Sequence, residues 1–191
     1  MQYYLLFLGI ELSNTTNILS NKNFEVVMKS EYQALLKKVS KQPKALKQTF
    51  ASLKKMRKGD TDKLIHGLHQ EAFETIDCLE CANCCTTTGP LLTDKDIDRI
   101  AKHLKLKPAQ FINNYLRIDE DNDFVFKTMP CTFLGSDNYC SIYEVRPKAC
   151  REYPHTDRVN QQGILSITRK NVTLCPAVAK IFIEIESSKK S

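Results

Sequence analysis

Four cysteines within eight residues, Cys78-Leu-Glu-Cys81-Ala-Asn-Cys84-Cys85, constrain this chain more than any other feature. The first three recur every third residue, so a loop or tight helical turn points them to one side. Sulfur is a soft ligand, and thiols so arranged suit zinc or an iron–sulfur cluster. Cys131, Cys140, Cys150 and the more distant Cys175 follow, so all eight cysteines lie between residues 78 and 175. Secreted proteins use cysteines as disulfides and cytosolic ones use them as metal ligands or redox groups. The repeated two-residue gap fits chelation, and the adjacent Cys84-Cys85 pair is awkward for a disulfide framework.

That adjacent pair also sets a geometric problem. Neighbours on a helix point about 100° apart, so Cys84 and Cys85 do not easily bind one small ion together. Either they serve two different metals, or one of them is not a ligand. Eight thiols in two tetrahedral sets allow two zinc ions. Four thiols hold one [4Fe-4S] cluster and leave four spare. Cys78-x-x-Cys81-x-x-Cys84 matches the opening of the bacterial ferredoxin run, and Cys175-Pro176 matches its end, although proline there also suits a helix start.

The chain has 191 residues, enough for one compact domain and an extra segment. It has no apolar run of the roughly 20 residues needed to cross a bilayer and no glycine-rich phosphate loop. Residues 1–12 are apolar and aromatic, but no Lys or Arg precedes them and no small-residue cleavage site follows. An over-extended start ahead of Met28, or an extra strand, accounts for them better than a secretory signal. The expected compartment is therefore the cytoplasm, and no membrane contact is expected.

Residues 29–58 read as two basic helices divided by Pro43. Residues 37–58 hold nine Lys or Arg and no acid. A solvated lysine face over an apolar stripe explains them better than a nucleic-acid surface, because Arg and aromatic residues are scarce. Residues 62–74 read as an amphipathic helix carrying His66 and His69, read as ordinary histidines rather than ligands. Thr93-x-x-Asp96 predicts a helix start, and Pro108 predicts a second. A strand over residues 124–126 is expected to pair with residues 163–168. A last helix is expected to begin near Pro176. The hydrophobic core is expected to be modest, because many residues of the cysteine region sit in loops.

The blocks Cys78-Leu-Glu-Cys81-Ala-Asn-Cys84-Cys85, Pro130-Cys131-Thr-Phe-Leu134 and Cys140-Ser-Ile-Tyr143-Glu-Val-Arg146-Pro147-Lys-Ala-Cys150-Arg151-Glu-Tyr-Pro154 resemble the YkgJ-type CxxCxxCC cysteine cluster family of zinc- or iron-chelating proteins. The resemblance spans roughly residues 75–180. It implies metal chelation in a bacterial cytoplasm, with Cys78, Cys81, Cys84, Cys85, Cys131, Cys140 and Cys150 as ligands and Cys175 matching less closely. Flagellin lysine methylases carry a similar cysteine module. Around Cys150, Arg146 and Arg151 either stabilise the thiolate or pair with Glu144 and Glu152. Tyr143 and Tyr153 are expected to pack with hydrogen-bonded hydroxyls, and a role for His155 as a substitute nitrogen ligand is the less favoured reading.

The expected fold is α+β and mainly helical: a small cysteine-rich, metal-stapled domain with a short two-stranded β element and N-terminal helices. Residues 1–27 form an extension, 28–74 a basic helical segment, 75–186 the metal-binding domain and 187–191 a tail. The expected function is zinc or iron–sulfur binding in a redox or metal-handling role. The competing readings are a structural-zinc adaptor that binds nucleic acid or protein through its basic helices, and a methylase-related enzyme module. An enzyme is the less favoured of these, because no cofactor loop is visible.

Overall fold

The computed structural model describes residues 28–189. The expectations for the 1–27 extension, and the end of the 187–191 tail, lie outside the described residues. Proline places three of the helices. Pro43 opens α2 (Pro43–Lys55), Pro108 opens α6 (Pro108–Tyr115) and Pro176 opens α9 (Pro176–Ser188). At each start the missing N–H is one that a helix leaves unpaired anyway. The other helices are α1 (Ser30–Ser40), α3 (Lys58–Phe73), α4 (Asn83–Thr87), α5 (Asp94–His103), α7 (Lys148–Glu152) and α8 (Leu165–Asn171). At α5 the Thr93 hydroxyl and the Asp96 carboxylate exchange bonds with each other's backbone N–H groups, closing a capping box.

The mainly helical α+β class is as expected, but the sheet is not. It has three antiparallel strands, β1 (Leu91–Leu92), β2 (Leu116–Ile118) and β3 (Phe124–Phe126), in the order β1-β3-β2. Leu92 and Ile118 both face Phe124 across the ladder. The expected partner, residues 163–168, is instead the end of a 3₁₀ turn (Gln161–Ile164) and the start of α8. Its Ile164, Leu165 and Ile167 resembled a strand, but the inward residues are Leu165, Thr168 and Asn171. That is a helical stripe, and Ile167 lies exposed.

Two hydrophobic cores result. In the first, α1, α2, α3 and α8 enclose α9, whose Ala177, Val178, Ala179, Ile181, Phe182 and Ile185 are all buried. A helix apolar on nearly every side belongs at the centre. Phe182 stacks on Phe50 of α2 at 4.5 Å between ring centres. The second core gathers Ile97, Ile100, Phe111, Leu116, Phe126 and Phe133 from α5, α6, the sheet and the loop after it. The first core is larger than expected because the N-terminal helices contribute to it. Their basic residues between 37 and 58 all face outward, as a solvated face requires. Among the described residues, no helix is long and apolar enough to cross a membrane.

Candidate metal centre

The cysteine loop follows α3. A 3₁₀ turn (Cys78–Glu80) leads to Ala82, which sits in the left-handed region at φ 44°. A residue with a Cβ is strained there. The reversal lets α4 begin at once and carries Cys84 and Cys85 back beside Cys81. Long-range bonds hold this loop. The buried Tyr32 of α1 donates its hydroxyl to Glu80 at 3.0 Å and accepts the Asp77 N–H at 3.0 Å. Lys29 pairs with the same Glu80 at 2.5 Å. Asn83 Nδ2 donates to the Leu174 carbonyl at 2.7 Å, which binds the loop to the start of α9 and hence to Cys175.

All eight cysteines are free thiols, and they fall into two groups. Cys78, Cys81, Cys84 and Cys175 line one small apolar cavity of about 30 Å³, together with Tyr153, Phe73 and Ile76. Cys85 is not among the residues that line that cavity. Its carbonyl accepts the Cys131 N–H at 2.8 Å, and its charge bears on thiols of both groups, Cys78 and Cys81 as well as Cys131, Cys140 and Cys150. A hairpin closed by a bridge between Leu134 and Cys140 brings Cys131 and Cys140 to the same end of the molecule. The groups also divide between the cores. Cys81 and Cys175 are part of the first, while Cys131 and Cys140 pack against the second. Cys84 and Cys85, with sulfurs 4.0 Å apart, stand at the junction. Among the described residues, no three His, Cys, Asp or Glu side chains stand in closed ligating geometry.

Burial controls the thiols. It pushes Cys81 and Cys131 up to about 11 and Cys150 and Cys175 up to about 12. Cys78 and Cys140 rise for the same reason. Cys84 and Cys85 share a hydrogen bond, which holds Cys84 up as the thiol and draws Cys85 down to about 7 as the thiolate. Opposing burial, backbone N–H groups point at four of the sulfurs. The donors lie two or three residues on: Asn83 for Cys81, Phe133 and Leu134 for Cys131, Ile142 for Cys140, and Val178 and Ala177 for Cys175. Such donors stabilise sulfur as an anion. Two sulfurs in each group are served this way.

An all-sulfur donor set, with Cys81 and Cys175 buried, Cys78 exposed, the other five half-buried and amides aimed at four of the sulfurs, fits zinc and iron and not a hard cation. Over residues 77–176 the chain matches the CxxCxxCC family, described as "Putative zinc- or iron-chelating domain". The chain belongs to the CxxCxxCC family. A similar protein is the uncharacterized protein MJ0661 of Methanocaldococcus jannaschii, 33% identical over 94 residues, which are 48% of this chain and 50% of that protein. The chain thus spans about half the length of the curated relative it matches. No solved structure matches it.

Other residues of this CxxCxxCC chain take clearer roles in the structure. His69 Nδ1 bonds the Thr156 hydroxyl at 2.8 Å, and His66 pairs with Asp157 at 2.8 Å, the ordinary roles expected of them. His155 does not line the thiol cavity, and its Nδ1 is buried without a partner. Arg146 lies 3.7 Å over the Tyr143 ring, and its charge favours the thiolates of Cys78, Cys140 and Cys150. Arg151 donates to the Arg146 carbonyl at 2.8 Å. Glu152 pairs with Lys148 instead, so among the described residues neither arginine pairs with Glu144 or Glu152. The Tyr153 hydroxyl, expected to be hydrogen-bonded, has no partner because only apolar groups and thiols surround it. Tyr32, Glu80 and Asn83 carry no sequence signal for supporting the loop, since their partners are far along the chain.

Proposed function

We propose that this protein holds two metal ions in two four-thiolate sets: Cys78, Cys81, Cys84 and Cys175 in the first, and Cys85, Cys131, Cys140 and Cys150 in the second. What supports this reading is that Cys78, Cys81, Cys84 and Cys175 line one cavity beside the first core, while Cys131 and Cys140 pack against the second and bear, with Cys85, on Cys150. Zinc suits both sets, because closed tetrahedral thiolate sites are its usual structural form and contribute folding free energy directly. The function is then metal binding that staples two cores, open to a metal-handling role. Eight unpaired thiols fit a reducing compartment such as the cytoplasm.

A second reading has a specific observation behind it. The first set is also the ferredoxin-like run, Cys78-x-x-Cys81-x-x-Cys84 with Cys175-Pro176, and those four thiols line one cavity. An iron–sulfur cluster there would give a redox role.

Metal analysis and a visible spectrum of anaerobically purified protein test both readings. Two colourless zinc ions per chain support the first, and brown protein with iron and sulfide supports the second. Cys84→Ser and Cys85→Ser should each remove one ion, and a different one. If both removed the same ion, the division into two sets would be wrong.

A further inference from the structure

Three buried side-chain polar atoms among the described residues lack a hydrogen-bond partner: Tyr153 Oη, His155 Nδ1 and Gln161 Oε1. Only Tyr153 shares a cavity with the thiols. Burying a hydroxyl without an acceptor is costly, so a phenol kept in such a place needs a reason. Tyr153 packs against the first core beside Cys81 and Cys175, and the groups surrounding its cavity are otherwise apolar. A tyrosine hydroxyl carries its proton at neutral pH and can donate it. Neutral thiols are weak acceptors, whereas a metal-bound thiolate is a strong one.

We infer that Tyr153 donates its hydroxyl hydrogen to a metal-bound thiolate of the first set, making it a positioning residue that distinguishes that site from the second. This rests on the two-set reading. Outer partners of this kind orient ligands and tune the metal. The second set has no buried phenol without a partner among the described residues: Tyr139 and Tyr143 near it are exposed, and Tyr115, which packs on Phe133, is half-buried and not among the buried hydroxyls that lack a partner.

The test is Co(II) titration of anaerobically reduced, metal-stripped protein, comparing wild type with Tyr153→Phe, which keeps the ring and removes only the hydroxyl. Both should bind two Co(II) ions. In the variant, one ion should show its sulfur-to-cobalt charge-transfer band at lower energy, since an unbonded thiolate donates more charge. That ion should also pass to a chelator roughly tenfold faster, within the range lost with outer-shell partners. The other ion should be unchanged. Superimposable spectra and release curves, or equal changes at both ions, would overturn the inference alone. A wild type that takes up no thiolate-bound Co(II) would overturn the two-set reading as well. A second measurement needs no variant. The chain has no tryptophan, so the near-ultraviolet circular dichroism of wild type reports tyrosine. Zn(II) loading should shift its tyrosine band, and a band unmoved on loading would count against the hydrogen bond.

Discussion

Asp96 shows how much one side chain can organise. It is 1% exposed and accepts four bonds: the Thr93 hydroxyl and N–H, Arg99 Nη2 at 2.5 Å, and the Lys148 N–H at 3.0 Å. It thereby ties the start of α5 to the helix that bears Cys150. Burial alone would raise its pKa, but the bonds from Thr93, Arg99 and Lys148 outweigh burial and leave it below the ordinary value. Its folded pKa is therefore lower than its unfolded one. The stability it contributes is complete above the unfolded value near ~4 and is lost as pH falls through the folded value. Asp96→Asn should cost roughly 3 kcal/mol at pH 7, and should flatten the acid limb of stability, read by denaturant unfolding at stepped pH. A second residue acts on the metal loop from a distance. Tyr32→Phe leaves the Asp77 N–H without its partner and Glu80 with Lys29 alone, so it should cost about 1–2 kcal/mol. It should also weaken the first site alone, measured as chelator competition for each ion. The thiols themselves were legible at this scale, because spacing and residue type announce them. Tyr32 and the unpartnered Tyr153 hydroxyl were not, because a hydroxyl's worth depends on neighbours brought from elsewhere in the chain.

Helices betray themselves in sequence when chemistry marks their ends. Pro43, Pro108, Pro176 and the Thr93–Asp96 box each did so, and the helices begin where these residues predict. The sheet left a fainter trace, since strands of two or three residues carry no period long enough to read. β3 was recognised, but Leu91–Leu92 and Leu116–Ile118 were not separable from the helices beside them. At the other extreme, α9 is nearly all apolar, and removing its largest side chain tests its central position. Phe182→Ala should destabilise the protein by about 4 kcal/mol, read as a lower denaturant midpoint with an unchanged slope. A loss below about 1 kcal/mol would mean that the Phe50 stack and its surroundings are not packed as described.

Across the whole molecule, metal and proton compete for the same sulfurs. Burial holds most of the thiols protonated at neutral pH, so loading both sets should release roughly seven or eight protons per chain. Affinity should rise steeply with pH, and proton release followed in weak buffer measures it directly. A release near three or four would mean that a single set is filled. On the two-set proposal, Cys150→Ser should loosen residues 91–145 while amides of α9 keep their protection from hydrogen exchange. Loss of protection throughout would show one cooperative unit rather than two. The placement of Cys175 at the head of α9 has a further consequence, which concerns time. A ribosome delivers the chain from its N-terminus, so Cys85, Cys131, Cys140 and Cys150 are all in solution before Cys175 appears. On the two-set proposal, the second set can capture its ion first on a nascent chain, while Cys78, Cys81 and Cys84 wait as an incomplete trio until the last helix arrives to close them.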